Sequence, residues 1–541
     1  MKKNFILTLP LLLGSLAPVA DAANLPVYTS YQFSDNSPLS SGKWVRFSIG
    51  DTGIYEITYA QLRAMGFSNP AAVAVYGNSG YQLPVNFMSA NGERLVEDNI
   101  MPVRIMHSND KIIFYGQGTA KINFKISGYG SNLSAQHFRE SKNVYSDKAY
   151  YFLTDSYPAA TVPSHPVAQK ESARNISSGY AYLYHEKDLT QGTHLSGQTF
   201  WGENIKAGSP IQFQIKAPYM PATNKCTVTT DVAIMEKQTG NLTIRLGGSR
   251  TWSLNRTESK LYTLENTISS MKLTVGADNT GSGTLTYTAT GGYSTSQPLG
   301  IDYWTVTYPI SLEYALDDTN FTQQYIAFKS TSNPVWKHPV PAGSLAWDIT
   351  DHGAPEALDT EDGWLYHDYT GRCETVVFNP AKTLKAINSD YVTIENQNLH
   401  ALRGEAIDML IFTTDDMEPY ARRIADLHAS HLGERVEVVK PQALFNEFSS
   451  GTPDPMAYRM LTKMLYQNES HRLKNVLFMG PIYGDYRDVR NSGRKEEGHI
   501  AYQQLQPNLS AEGHCVMDYY GVMSDYVTYP DNLENAPVSV G

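Results

Sequence analysis

Few residues in this sequence are suited to covalent chemistry. Its 541 residues hold three cysteines, Cys226, Cys373 and Cys515, and fourteen histidines. A thiol attacks a carbonyl only as thiolate, which requires a base within reach of its side chain. His514 and Cys515 are adjacent, and adjacent side chains point apart, so they do not make that pair. Asp351-His352-Gly353 is a histidine turn, but it stands in β-rich sequence and reads as a loop. His428 and His431 share a helix face at metal-binding spacing. No cysteine or carboxylate pair completes a zinc set there, so they read as a solvated helix end. Asp359, Glu361, Asp362 and Gly363 form an acidic turn without the alternating carboxylates of an EF-hand loop, and read as turn chemistry. Gly480 and Gly484 follow a strand as in phosphate-binding loops, but Tyr486 and Arg487 stand where Lys-Ser/Thr belongs. No catalytic, cofactor-binding or metal-binding residue is therefore assigned, and no cofactor is expected.

The elements that must position any site near these residues change character along the chain. From Asp408 the apolar run Met409-Leu410-Ile411-Phe412 predicts a strand, followed by a helix with Pro419 in its first turn, the stripe Ala421, Ile424 and Leu427, and Gly433 at its end. Val436 to Val439 predicts the next strand. Asp454 and Pro455 open a second helix with Tyr458, Leu461 and Leu465 on one face, and Val476 to Met479 predicts a third strand. Strand, helix and strand in this order give a parallel sheet with covering helices, whose ligands gather at the strand carboxyl ends. Those ends are Thr413 to Asp416, Lys440 and Gly480 to Asp485.

Ahead of this region the period is two. Val45, Phe47 and Ile49 alternate with Arg46 and Ser48, a half-buried strand. Asp51-Thr52-Gly53 then predicts a β-hairpin into Tyr55 and Ile57. A short helix fits Tyr59 to Met65, ended by Gly66, and strands fit Val73 to Tyr76, Lys111 to Tyr115 and Ala149 to Leu153. Tyr157 to Ser178 is rich in Pro, Ala and Ser and reads as a linker. Beyond it, Cys226 to Met235, Leu242 to Leu246, Met271 to Val275, Thr284 to Ala289 and Trp304 to Tyr308 are spaced like the strands of a β-sandwich. The expected architecture is multidomain: β-rich, sandwich-like front domains at 23–160 and 175–330, a short β-rich connection at 331–404, and an α/β domain with a parallel sheet at 405–541.

Lys2 and Lys3, an apolar stretch from Phe5 to Ala20 and the triplet Ala20-Asp21-Ala22 predict a secretory signal peptide over residues 1–22. No later stretch is long and apolar enough for a membrane-spanning helix. Three widely spaced cysteines give no disulfide framework. A formal net charge of −11 without a Lys/Arg cluster argues against a nucleic-acid partner. Thirty-six tyrosines at 18% charged residues suit sheet faces and amphipathic contact surfaces.

Several stretches carry a resemblance. These are Glu395-Asn396-Gln397-Asn398-Leu399-His400 before the Asp408 strand, Phe445-Asn446-Glu447-Phe448-Ser449-Ser450-Gly451-Thr452-Pro453-Asp454-Pro455, Val476-Leu477-Phe478-Met479-Gly480 and Asp518-Tyr519-Tyr520-Gly521. Gly53-Ile54-Tyr55-Glu56-Ile57-Thr58, Phe114-Tyr115-Gly116-Gln117-Gly118 and the stretch from Tyr145 to Thr154 join them nearer the front. Together and in order, over nearly the whole chain, they resemble the gingipain-like cysteine peptidases that act as surface sortases in type IX secretion.

The resemblance implies a partial caspase-like, gingipain-type α/β peptidase domain behind β domains, at the outer-membrane-associated cell surface. It implies removal of C-terminal sorting signals from secreted cargo and joining of the cargo to surface lipopolysaccharide, with an outer-membrane β-barrel partner. In that family the base lies in a Gly-His-Gly turn and the cysteine on a later strand end. Ser539-Val540-Gly541 looks like the start of the strand before them, so both are expected after residue 541 and this stretch alone is expected to be inactive. Pro481 and Ile482, inserted before Tyr483-Gly484-Asp485, depart from the family's rim wording. The alternative reading is a noncatalytic surface binding protein or adhesin with a degenerate peptidase-like module; a third, a carbohydrate-binding adhesin, rests on Tyr184, Phe200 and Trp201, which fit a core equally well.

Overall fold

The computed structural model describes residues 31–127, 134–189, 200–221, 225–234, 238–256, 262–291, 299–313, 321–330, 335–468, 472–489, 498–502, 518–521, 523 and 537–541. The expected signal peptide and the His514-Cys515 pair lie outside them.

The front unit is two sheets around one core. One sheet runs, in spatial order, Val392–Ile394, Trp44–Ile49, Ala149–Thr154, Ala74–Tyr76 and Pro102–Val103; the other runs Lys385–Ala386, Gly53–Thr58, Lys111–Gly116 and Ile105–Ser108. The hairpin expected at Asp51-Thr52-Gly53 is not formed. Trp44–Ile49 pairs with Ala149–Thr154, whereas Gly53–Thr58 pairs with Lys111–Gly116 in the opposite sheet. Each strand has its own apolar face, and folding over at the turn lets Val45, Phe47 and Ile49 meet Tyr55 and Ile57 in the same core. A hairpin would instead set the two strands side by side in one sheet. The short helix α1, Tyr59–Ala64, starts on a capping box between Thr58 and Gln61, and Gly66 follows it at φ +85°.

The second unit is a sandwich built on a 14-stranded sheet and a facing five-stranded sheet. Leu299–Ser311, its longest strand, is flanked by Ser178–Glu186 and Lys225–Ile234. The 331–404 stretch is β, as expected, but its strands are shared out. Leu345–Asp348, Glu356–Glu361, Trp364–His367 and Gly371–Phe378 extend the large sheet, while Lys385–Ala386 and Val392–Ile394 return to the front unit. The 157–178 linker runs beside them, and its Ser164–His165 and Arg174–Asn175 pair in parallel with Glu356–Glu361 and Trp336–Pro339.

In the large sheet, His338 and His367 are fully buried against Phe328. His338 Nδ1 reaches the Pro339 carbonyl at 2.9 Å, and the other three ring nitrogens have no hydrogen-bond partner among the described residues. Burial pushes His338 down to about 4, against the Pro339 bond. Burial, with His338 and His165 adding like charge, pushes His367 down to about 3.

The α/β unit has the parallel order Val436–Val439, Met409–Thr413, Asn475–Met479, Ser539–Val540. Helix α2, Glu418–Leu432, covers one face through Ala421 and Ile424 and ends at Gly433 with φ +64°. Leu427, expected in that stripe, is 55% exposed, because the helix lies on the sheet only through its first turns. Two further helices cover the other face: α3, Pro441–Phe448, and α4, Pro455–Tyr466. Asp454 caps α4 by accepting from the Met456 N–H at 2.8 Å, as its sequence position suggests. Every residue of α4 is buried. Its outer side is covered by the front unit, whose Tyr31, Phe33, Phe87, Met88, Val96 and Tyr145 share one core with it.

A buried ion group fixes this junction. His400 Nδ1 lies 2.6 Å from Glu447 Oε2, and Nε2 lies 3.1 Å from the Asp98 carbonyl and 3.3 Å from its carboxylate. The ring stacks on Phe448 with centroids 4.5 Å apart. Burial alone would push His400 down, but hydrogen bonds to Asp98 and Glu447 hold it up at about 9. The imidazolium therefore ties the front unit to α3.

Replacing His400 by Ala leaves Glu447 buried without a cation and Asp98 with Arg94 alone, so stability falls by about 3–5 kcal/mol, measured as a lower urea midpoint; an unchanged midpoint would rule out this account. His338 and His367 make a second, pH-linked prediction. Both rings stay neutral in the fold, whereas the unfolded chain binds protons below about pH 6.5. Their contribution is thus complete above that pH and fades as pH drops toward about 4 and 3. At pH 5 each should cost about 2 kcal/mol relative to pH 8. His367→Phe should therefore flatten the fall in urea midpoint between pH 7 and pH 5, and an equally steep fall would refute it.

Candidate functional site at the carboxyl edge of the parallel sheet

The strand ends singled out in the sequence do come together. Thr414 N–H donates to the Met479 carbonyl at 3.1 Å, closing the ends of the two central strands. Gly480 follows at φ +130°, and a Cβ there would stand 2.6 Å from Thr414 Oγ1, so only glycine fits the approach. Thr414 Oγ1 donates to Asp416 at 2.5 Å. Lys440, at the end of Val436–Val439, reaches Asp415 at 3.2 Å and Glu418 at 3.4 Å. These contacts hold the rim closed beside a short parallel pair, Ile482–Tyr483 with His499–Ile500.

His499 sits beneath that rim, fully buried, and was not singled out in the sequence. Its Nε2 is 3.0 Å from the Met479 carbonyl and its Nδ1 is 3.4 Å from Tyr458 Oη. A carbonyl can only accept, so Nε2 carries the proton and Nδ1 accepts from Tyr458. Burial lowers its pKa against the Met479 bond, keeping the ring neutral. Nothing in its spacing marks it, since Tyr458 lies on α4 and Met479 at a strand end.

Arg487 fastens the loop after Gly484 to the rest of the molecule. Only 3% of its side chain is exposed, and it pairs with Asp147 at 2.6 Å and Asp188 at 2.8 Å and lies over Phe200. Lys142 reaches the same Asp188 at 2.6 Å. Burial would raise the Asp188 pKa, yet Arg487 and Lys142 hold it below the usual carboxylate value. Asp188 also stands near Glu186 and Asp302, and the three offer carboxylate oxygens within 4.8 Å of one another. They could hold a cation, although Asp188 is already balanced by two basic side chains.

The other residues weighed in the sequence are dispersed. Cys226 and Cys373 are buried, and burial pushes both thiols up to about 12, with Asp348 and Glu374 adding to the effect at Cys373. Neither forms a thiolate at neutral pH. His428 bonds Glu434 at 2.8 Å, and His431 contacts the Leu427 carbonyl on the exposed side of α2. Lys170 lies 2.8 Å from both Asp359 and Glu361, and Asp362 and Gly363, at φ +50° and +77°, form the turn between two strands. Phe200 and Trp201 are core residues. His352 lies in a loop of the β-rich region, as expected, and lines a cleft of about 1200 Å³ where the front unit, the large sheet and the α3–α4 junction meet.

Residues 403–537 match the family model described as peptidase family C25. No curated protein matches the chain by sequence. Among solved structures, dimeric latent PorU from Porphyromonas gingivalis superposes with a TM-score of 0.73 at 21% identity, covering 94% of this chain and 48% of that one. The chain thus spans about half the length of that relative. A CBM36-1 domain of a xylanase from the hindgut metagenome of Trinervitermes trinervoides matches at 15% identity over 24% of this chain and 95% of that one, with a TM-score of only 0.15. A family two carbohydrate esterase from Cellvibrio japonicus matches at 8% identity over 64% and 95%, also at 0.15. The chain therefore carries a peptidase family C25 segment behind β-rich units, in a PorU-like multidomain fold.

Proposed function

We propose that the chain is the front portion of an exported, cell-surface gingipain-like cysteine endopeptidase of the sortase kind. It would remove C-terminal sorting signals from type IX secretion cargo and attach the cargo to the surface. The observation that supports this reading most is the coincidence of the C25 match over 403–537 with a PorU-like fold over 94% of the chain. The signal peptide of residues 1–22 would export it, and an outer-membrane β-barrel and surface lipopolysaccharide would be its partners. The nucleophile and its base would be supplied by sequence following residue 541. That arrangement agrees with Cys226 and Cys373 being packed as core hydrophobes.

The test is to assay the full-length gene product on a cargo protein that carries its sorting signal. Cleavage should occur and should drop at least about a thousandfold when the downstream strand-end cysteine is replaced by alanine. Residues 23–541 alone should cut nothing. Hydrolysis by those residues that disappears in Cys515→Ala would overturn the placement of the nucleophile. A full-length product that binds cargo without cutting it would favour the noncatalytic surface module instead.

A further inference from the structure

The cleft that His352 lines has no part in the rim described above. Its apolar side carries Leu95 and Met101, which are 47% and 43% exposed, with Leu83 and Val85 half-buried beside them. Met101 leads into Pro102–Val103, the last strand of its sheet, which among the described residues is bonded to Ala74–Tyr76 on one side only. Its floor is polar. Tyr81 Oη stands 3.4 Å from His352 Nδ1, and His352 Nε2 stands 3.5 Å from Glu374, with the Tyr115 ring edge-on to the imidazole.

Two physical points select the ligand. Its volume of about 1200 Å³ exceeds the roughly 300–1,000 Å³ of small-molecule sites. Its basic side chains Arg104 and Lys142 are also spoken for. Arg104 donates to the Ala354 and Pro355 carbonyls and faces Glu356, and Lys142 is paired with Asp188. An anionic ligand would find no free cation in those two, whereas apolar side chains along a strand edge suit an extended chain, which that edge can meet at Pro102 only as an acceptor, since proline has no N–H. Such a chain turns alternate residues to opposite sides, so every second side chain meets the Leu95–Met101 wall.

We propose that this cleft is a groove for an extended, largely uncharged peptide segment, laid along the Met101–Val103 edge with apolar side chains on Leu95 and Met101 and one hydrogen-bonding side chain over Tyr81 and His352. The proposal rests on the peptidase reading only in taking the cargo's sorting segment as that peptide.

Fluorescence anisotropy of labelled decapeptides tiling a cargo sorting segment, with the full chain, tests it. At least one decapeptide should bind, and Leu95→Glu with Met101→Glu should weaken it about tenfold or more. Both positions are exposed, so the fold should tolerate the change. Tyr391→Glu, at another exposed apolar residue, should leave binding as it was. Equal affinity in the double variant, or binding of none of the decapeptides, overturns the groove. Binding that depends on Leu95 and Met101 in a protein that cuts no cargo upholds the groove and rejects the peptidase reading. Cargo cleavage with no such dependence does the reverse.

Discussion

A helix can be buried on all sides only if something beyond its own sheet covers its back, and α4 is buried along its whole length. The α/β unit covers part of it through Tyr520 and Met523, and the front unit covers the rest. Phe87, Met88 and Val96 close the core over α4, and Arg459 donates to the Val85 carbonyl at 2.6 Å while its guanidinium lies over Phe87. Lys463 on the same helix donates to the Met523 carbonyl. Buried cations are tolerable only when their protons find acceptors, and both do. The β-rich front and the start of the peptidase segment therefore share one hydrophobic core, and neither has a complete surface without the other.

The junction is concentrated in the segment from Phe445 to Pro455. Asn446 accepts from Arg46, Glu447 holds His400, and Phe448 stacks on that imidazole. Ser450, at φ +52°, accepts from the Asn78 N–H, and Gly451 follows at φ +76°, where a Cβ would press on Tyr150 at 3.0 Å. Asp454 takes the Leu83 N–H as well as that of Met456. Burial pushes its carboxyl up to about 7 despite those two bonds. In a stretch that reads as a family-specific run of letters, Asn446, Ser450, Gly451 and Asp454 thus touch the front unit directly, and Glu447 and Phe448 reach it through His400.

That segment also marks how far the sequence was legible. Period-two runs located the front strands to within a residue or two, and the apolar stripe, proline and glycine signals located α2 and the parallel strands, because those patterns arise within one element. Arrangements decided between elements were not legible. The Asp51-Thr52-Gly53 turn has the composition of a hairpin, and only the shared core of Val45 and Ile57 shows that the chain crosses to a second sheet. Val392–Ile394 reads as part of a connection, and its place at the edge of Trp44–Ile49 depends on contacts with residues far earlier in the chain. Tyr458, Leu461 and Leu465 marked one face of α4, but the burial of Arg459 and Lys463 opposite could not be read from a helix pattern. At the site, Gly480 was noticed for its spacing, while its need to be glycine comes from Thr414 on a different strand. His499 has no mark in the sequence, and His400 and Arg487 stand there only as letters of a motif and of a loop, because the role of each is defined by partners remote in sequence.

The same remoteness bears on what the β units do for the rim. A loop at the carboxyl edge of a parallel sheet ordinarily depends on its own strands for position. Here the loop after Gly480 is held elsewhere: Arg487 binds Asp147 of the front unit and Asp188, which follows the first long strand of the sandwich. Lys142 joins the same carboxylate from a third direction. Arg487, Asp188 and Lys142 are nearly buried, whereas Asp147 is exposed, so the first three rely on one another remaining in place. A displacement of either β unit would leave Arg487 or Asp188 without its counter-charge, and the rim would have to move with it or bear that cost. The position of the candidate active edge is therefore set jointly by three packed units, which gives the large β front a mechanical role in the peptidase segment beyond that of a spacer.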